Sequence, residues 1–136
     1  MKKLIFLGLL FFAVAPLQAH MQDDIDHIVL YIQQAIESGN AESLVNKSSS
    51  YVEVTLLGNT TMYSRAQAGY ILREFFREHP PSDFAFQRRL NVGTDWYMYG
   101  SYRNGAQNQV YRMEVRIRRN GEGYEIKNIR ISYVRK

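Results

Sequence analysis

Tyrosine hydroxyls that can take part in proton transfer are plentiful in this sequence, which has 10 Tyr, 3 His and no Cys. Acid–base catalysis also needs a carboxylate or an imidazole in apolar surroundings, with a Tyr donating to the oxyanion that forms. The carboxylates here instead occupy positions that suit helix starts, strand starts or the solvent side of a strand: Asp23, Asp24, Asp26, Asp83, Asp95, Glu114 and Glu125. We therefore predict no catalytic residue, and a small acid–base enzyme is the alternative hypothesis.

The histidines do not have the spacing of a metal site. His79 precedes Pro80 and suits the C-terminal end of a helix, while His27 lies beside an apolar stripe. His20 would become the N-terminal residue after cleavage behind Ala19, and it could then hold copper only together with another inward-facing His. The sequence also has no glycine-rich phosphate loop or nucleophile elbow, so it predicts no metal and no cofactor.

Arginines alternate with aromatic residues in the second half of the chain, a pattern found on nucleic-acid-binding surfaces. The arginines are Arg88, Arg89, Arg103, Arg112, Arg116, Arg118, Arg119 and Arg130. Charged residues of this kind are also ordinary on the solvent side of an antiparallel sheet, where Arg and Glu pair across strands. Together with the export predicted below, this argues against a nucleic-acid partner.

The N-terminus has the pattern of a secretory signal peptide: Lys2 and Lys3, an apolar run over Leu4 to Val14, and a small residue, Ala19, at the cleavage point. The run is too short for a membrane span, which takes about 20 apolar residues. Removal of residues 1–19 takes away two of the 17 basic residues and none of the 13 acidic ones, so the net charge falls from +4 to +2. We predict an exported soluble protein, periplasmic or secreted, whose residues 20–136 form a single domain without disulfides and without a membrane span.

Three helices are predicted before the strands begin. Asp23 and Asp24 suit the start of the first helix, whose apolar stripe ends at Gly39, and a short helix follows Asn40. The central helix lies within the segment Tyr63 to Pro81. Its start has the pattern of a capping box, its apolar residues recur at three- and four-residue spacing, and two prolines end it.

The remaining segments alternate with a period of two and predict strands. The first runs over Tyr51 to Leu56, with Thr60 to Tyr63 able to pair back as a hairpin. Four more follow the central helix: Phe84–Val92, Trp96–Arg103, Gln109–Arg119 and Tyr124–Val134. Their short links favour an antiparallel meander. A change of parity near Lys127 and Asn128 predicts a β-bulge in the last strand.

The strand Trp96–Arg103 has aromatic residues on both faces. We expect Tyr97 and Tyr99 to point into the core under the central helix. On that expectation Trp96, Met98 and Tyr102 form an apolar patch on the outer face of the sheet, which makes them candidates for an interface with a partner or a second subunit.

This order of elements resembles the nuclear-transport-factor-two-like cone fold, also called cystatin-like. The signal peptide and four segments resemble, more specifically, the small exported bacterial family described as domain of unknown function 4783. The segments are Ala35–Ala41, Tyr63–Ala68 followed by Phe75-Phe76, Tyr97–Gly100 and Tyr111–Val115. The resemblance implies an α+β fold in which N-terminal helices and one long central helix pack on a curved antiparallel sheet. It implies no catalytic residue, because the family has no assigned activity.

Cone folds close over an apolar pocket, where some relatives carry out proton transfer or dehydration. The expected lining residues are Tyr63, Ile71, Phe75, Tyr97, Tyr99, Tyr111 and Met113. Our leading hypothesis is a non-catalytic binding module of the cell envelope. It would bind a small apolar ligand or a peptide in this pocket, or a second copy of itself through the outer sheet face.

Overall fold

The computed structural model describes residues 17–104, 107–121 and 123–134. Within these ranges the chain forms helices and strands in the following order: α1 (Leu17–Glu37), α2 (Ala41–Val45), β1 (Ser48–Leu56), β2 (Asn59–Ser64), α3 (Arg65–Glu78), β3 (Ala85–Val92), β4 (Asp95–Asn104), β5 (Gln109–Asn120) and β6 (Gly123–Tyr133). Residues 1–16 of the predicted signal peptide lie outside the described residues.

The first helix begins six residues earlier than predicted, at Leu17. No Gly or Pro lies between Leu17 and Asp23, so nothing in the sequence prevents the helix from extending in the N-terminal direction. Its end agrees with the prediction, because Gly39 adopts a φ of +67° and its N–H donates to the carbonyl of Ile36 at 2.9 Å. The side chain of Asn40 then caps α2.

The central helix α3 starts with the predicted capping box. The hydroxyl of Ser64 accepts from the backbone N–H of Gln67, and the side chain of Gln67 accepts from the backbone N–H of Ser64. The helix ends at Glu78 with His79 as its C-cap, immediately before Pro80. It contacts α2, β1 and β2, while α1 contacts α2 and β3.

The six strands form one sheet in the order β2-β1-β6-β5-β4-β3. The predicted hairpin and meander are both present, and every neighbouring pair except one is antiparallel. The exception is β1 with β6, which are parallel, so the sheet is mixed. Side chains also join these two strands, since Ser49 donates to Glu125 and Asn128 donates to Glu53, each at 2.8 Å.

Two β-bulges interrupt the antiparallel pairs among the described residues and bend the sheet, and the parallel pair of β1 and β6 also shifts register between Ser48 and Glu53. In β6, Ile126 lies opposite Ile117 and Asn128 lies opposite Arg116, which leaves Lys127 as the extra residue and confirms the predicted bulge. In β3, Gln87 is the extra residue opposite β4.

The core lies between the helices and the inner face of this sheet. The helices contribute apolar residues such as Ile32, Leu72 and Phe76. The sheet contributes fully buried side chains from its three central meander strands: Met98, Tyr102, Tyr111, Met113, Val115, Ile117, Ile126, Ile129 and Ile131. In the part of the chain that the structure describes, every buried side-chain nitrogen and oxygen has a hydrogen-bond partner.

Candidate functional site

The two faces of β4 are the reverse of those predicted. Met98 and Tyr102 are 0% and 2% exposed and lie in the core, and Trp96 is partly buried against it. These three residues therefore do not form an outer patch, and the predicted interface is wrong. Tyr97 and Tyr99 lie on the outer face instead.

The pairing of β4 with β5 explains the reversal, because residues directly opposite in an antiparallel pair share a face. Met98 lies opposite the buried Val115, and Tyr97 lies opposite Arg116. Gly100 has the same orientation as Met98. A Cβ at Gly100 would lie 2.7 Å from the ring of Phe84, which is closer than real Cβ atoms approach. The absence of a side chain at Gly100 therefore makes room for the Phe84 ring in the core.

The predicted pocket-lining residues separate into three groups. Phe75, Tyr111 and Met113 are buried in the core, and Tyr63 and Ile71 are partly buried. Tyr97 and Tyr99 are on the opposite side of the sheet. The structure therefore does not bring the seven residues together around one cavity.

Tyr102 and Tyr111 form an aromatic cluster that holds the end of α3. Their rings stack with centroids 5.0 Å apart, and the hydroxyl of Tyr102 donates to the carbonyl of His79 at 3.3 Å. The hydroxyl of Tyr111 lies 2.8 Å from Nδ1 of His79. Burial raises the pKa of both tyrosines, and Tyr133 raises that of Tyr111 further. Both hydroxyls thus stay protonated and anchor the C-cap of the helix.

A cleft of about 410 Å³ lies between α1 and the start of β6. We call it the α1–β6 cleft. One wall is a single face of α1, formed by residues at positions i, i+3, i+4 and i+7: Asp24, His27, Ile28 and Tyr31. Lys47, Gly123 and Tyr124 complete the lining.

Both tyrosine rings of the α1–β6 cleft are held by hydrogen bonds and by a neighbouring cation. The hydroxyl of Tyr31 donates to the carbonyl of Ser43 at 2.9 Å, and Nζ of Lys47 lies 5.1 Å from the ring centroid. The hydroxyl of Tyr124 accepts from Arg119 at 3.3 Å, and this guanidinium lies 5.6 Å from the ring centroid. The cleft therefore combines two fixed aromatic rings with one ammonium group, that of Lys47, and one carboxylate, that of Asp24.

The cleft was not predicted from the sequence, although part of the signal was present. His27 was placed beside the apolar stripe of the first helix, and Asp24 was assigned to its start. The spacing of Asp24, His27, Ile28 and Tyr31 could have shown that they share a face. Lys47 and Tyr124 are brought to that face only by the tertiary fold.

The outer face of the sheet carries Arg and Tyr side chains in contact. The guanidinium of Arg88 lies 5.4 Å from the ring centroid of Tyr99, and that of Arg116 lies 6.0 Å from that of Tyr97. A hollow of about 210 Å³ lies beside them. We call it the outer-face hollow, and it is lined by Tyr99, Arg112, Glu114, Arg130 and Ser132.

Asp95 is a buried acid with a structural role. Its carboxylate accepts from Nε of Arg116 and from Nε of Arg118, both at 2.8 Å. The hydrogen bond from Arg118 is the largest of the effects that lower the pKa of Asp95 to about 2. The carboxylate is thus committed to two cross-strand ion pairs, as the predicted position at a strand start suggested.

Over the described ranges, no three His, Cys, Asp or Glu side chains come close enough to share a metal ion. No helix in these ranges is both long enough and apolar enough to cross a membrane.

Comparison with solved structures shows the nuclear-transport-factor-two-like fold. A DUF4783 family protein from Bacteroides ovatus matches with a TM-score of 0.71 at 19% identity, covering 78% of this chain and 94% of that one. A second, from Bacteroides fragilis, has a TM-score of 0.71 at 21% identity, covering 77% and 97%. An NTF2-like protein from Streptomyces avermitilis, provisionally described as a dehydratase, has a TM-score of 0.66 at 12% identity, covering 88% and 99%.

No curated protein matches the chain. The model of one family, DUF4783, a domain of unknown function, matches residues 29–132. This match spans most of the sequence and confirms the resemblance inferred from the residues. The chain therefore belongs to the DUF4783 family.

Proposed function

We propose that this protein is an exported, non-catalytic binding module that holds a small amphipathic molecule in the α1–β6 cleft. The observation that supports the proposal is the cleft itself. Its volume of about 410 Å³ is that of a small-molecule site, and its walls combine aromatic, apolar and charged groups. Of the residues expected to line the cone pocket, Phe75, Tyr111 and Met113 are buried in the core. We therefore place the ligand in the cleft and not in the apolar cone pocket expected from the fold.

The lining residues favour a ligand with an apolar body and an anionic group. Tyr31, Tyr124 and Ile28 offer apolar surface to the body of the ligand. Lys47 is exposed, and none of the ion pairs among the described residues includes it, so its ammonium group is available to an anion. Asp24 and His27 line the cleft from α1 and can form hydrogen bonds with polar groups of the ligand.

Export is the part of this proposal that depends on the sequence alone. Lys2, Lys3 and the apolar run that follows them have the pattern of a signal peptide, and cleavage behind Ala19 would leave most of α1 in the mature chain. A homodimer through the outer sheet face also stays a proposal. It would now use Tyr97 and Tyr99, which lie on that face, rather than Met98 and Tyr102.

The cleft can be tested with 8-anilinonaphthalene-1-sulfonate, a fluorescent probe that has an apolar body and one sulfonate. We expect Lys47→Glu to weaken binding about five-fold or more, because it replaces attraction to the sulfonate with repulsion. Arg73→Glu is the matched control, since it makes the same charge change on an exposed residue of α3 and should leave the dissociation constant within about two-fold.

Circular dichroism of each variant shows whether the fold is retained. Equal affinities of the wild type and Lys47→Glu would place the probe outside the cleft. An equal loss of affinity in both variants would show that the probe responds only to the net charge of the protein. Either result overturns the proposal.

A second candidate is an acid–base enzyme, which one observation favours: the 2.8 Å approach of the Tyr111 hydroxyl to His79 Nδ1. The alternative is weaker because Tyr111 is 0% exposed, so a substrate could reach only the imidazole. If it is correct, the wild type should release water from a β-hydroxy thioester and Tyr111→Phe should not. The binding module predicts no turnover by either protein.

A further inference from the structure

We propose that the outer-face hollow binds a carboxylate side chain of an acidic protein segment. This site is separate from the α1–β6 cleft, because it lies on the sheet face that the helices do not cover. Its lining comes from adjacent positions of three strands: Tyr99 of β4, Arg112 and Glu114 of β5, and Arg130 and Ser132 of β6.

The register of the sheet sets this arrangement. Glu114 lies opposite Tyr99 on one side and opposite Arg130 on the other, and Arg112 lies opposite Ser132. Side chains two residues apart on one strand point to the same face. Arg112 and Glu114 therefore line the same hollow. The neighbouring strands each supply one hydroxyl, that of Tyr99 from β4 and that of Ser132 from β6.

Positive charge exceeds negative charge at the hollow. The guanidinium groups of Arg112 and Arg130 line it, and that of Arg88 lies over the adjacent Tyr99 ring, against the single carboxylate of Glu114. Glu114 holds Arg130 only loosely, since the two side chains approach to 3.6 Å. Arg112 is exposed and forms no ion pair with any described residue. Among the described residues, the guanidinium of Arg112 thus has no ion-pair partner and that of Arg130 is weakly held.

Two guanidinium groups beside the Ser132 hydroxyl are suited to a carboxylate, because the planar fork of Arg donates two parallel hydrogen bonds to its two oxygens. The volume of about 210 Å³ fits one such group and a short apolar stem rather than a whole cofactor. Next to the hollow, Tyr97 and the 44% exposed Leu90 face each other across β4 and β3, where they offer apolar contact to neighbouring residues of a bound segment.

An anionic membrane fits the same face less well. A membrane surface attracts broad positive charge, whereas this face also carries the carboxylates of Glu53, Asp95, Glu114 and Glu125. The outer face therefore carries charges of both signs, and the hollow itself holds two guanidinium groups against one carboxylate. The chemistry therefore favours local recognition of single carboxylates on a polypeptide.

The test uses a fluorescein-labelled hexaglutamate peptide, with hexaglutamine as its uncharged counterpart, and measures fluorescence anisotropy at low and at physiological salt. We expect the wild type to bind hexaglutamate and not hexaglutamine. Arg112→Glu should weaken binding at least about ten-fold. Arg112→Lys should lose part of the affinity, because it keeps the charge and removes the fork.

Arg73→Glu again serves as the control, since it makes the same charge change on α3 and should alter the affinity by less than about two-fold. The proposal is overturned if the wild type does not bind hexaglutamate or if the two charge reversals weaken binding equally. It is also overturned if phosphatidylglycerol vesicles bind more tightly than the peptide and depend on Arg112 in the same way, because the face would then recognise lipid.

Discussion

Asp95 is the residue whose contribution to stability depends most clearly on pH. It is 8% exposed and accepts hydrogen bonds from Arg116 and Arg118, which together lower its pKa to about 2 from 3.8. Because the folded pKa is depressed, the stabilisation is present above the unfolded value of 3.8 and is lost as the pH falls towards 2. The ion pairs of Asp95 therefore stabilise the protein at neutral pH and lose this effect at strongly acidic pH.

We expect Asp95→Asn to lower the free energy of unfolding by about 2 kcal/mol at pH 7, since it leaves two arginines without their carboxylate. The difference between the wild type and the variant should shrink as the pH is lowered from 4 to 2. Urea unfolding at several pH values measures the free energy of unfolding of the wild type and of the variant, and therefore the difference between them at each pH. A difference that stays constant over this range would show that the ionised carboxylate is not the source of the stability.

At the scale of the secondary-structure elements, β4 determines which side chains are available for binding. Its inward residues complete the core, and its outward residues Tyr97 and Tyr99 join the arginines of the neighbouring strands. The orientation of this strand therefore decides which of its aromatic side chains lie on the outer face of the sheet.

We expect Met98→Ala to destabilise the protein by about 2–5 kcal/mol, because it leaves a cavity beside Val115 in the core. Met98→Leu should cost less than about 1.5 kcal/mol, since it conserves the volume. The oligomeric state should be the same in both variants. Thermal unfolding and size-exclusion chromatography with light scattering measure these effects, and a Met98→Ala variant that changes its association without losing stability would contradict the buried position.

The sequence predicted most elements because each carries a local signal. The capping box at Ser64 and Gln67, the turn at Gly39 and the parity change near Lys127 depend on neighbours along the chain, and all three are confirmed. The parallel pairing of β1 with β6 depends on tertiary contacts between strands more than 70 residues apart, so it was not predicted.

The faces of β4 could have been predicted and were not. The sequence of β5 alternates regularly, which places the apolar residues Tyr111, Met113, Val115 and Ile117 on one face. Pairing the two strands across their short link places Met98 opposite Val115, which fixes the inner face of β4. The aromatic residues on both faces of β4 make its inner face difficult to identify from the sequence, because a Tyr side chain can be either exposed or buried.

At the scale of the whole molecule, apolar side chains form the core between the helices and the sheet, and the two proposed sites lie between α1 and β6 and on the outer face of the sheet. The α1–β6 cleft and the outer-face hollow share no lining residue and lie on opposite sides of the sheet. Changes at sites that share no contact are usually additive. Each site can therefore be altered without affecting the other.

Native mass spectrometry of the mature protein, purified from its own cell envelope, shows whether the α1–β6 cleft carries a ligand. We expect a mature chain that begins after Ala19 and carries the added mass of a small organic molecule, which Lys47→Glu reduces and Arg73→Glu retains. A folded mature chain without added mass would contradict the proposal that the α1–β6 cleft is a ligand site. The same contradiction would follow if Lys47→Glu retained the added mass in full.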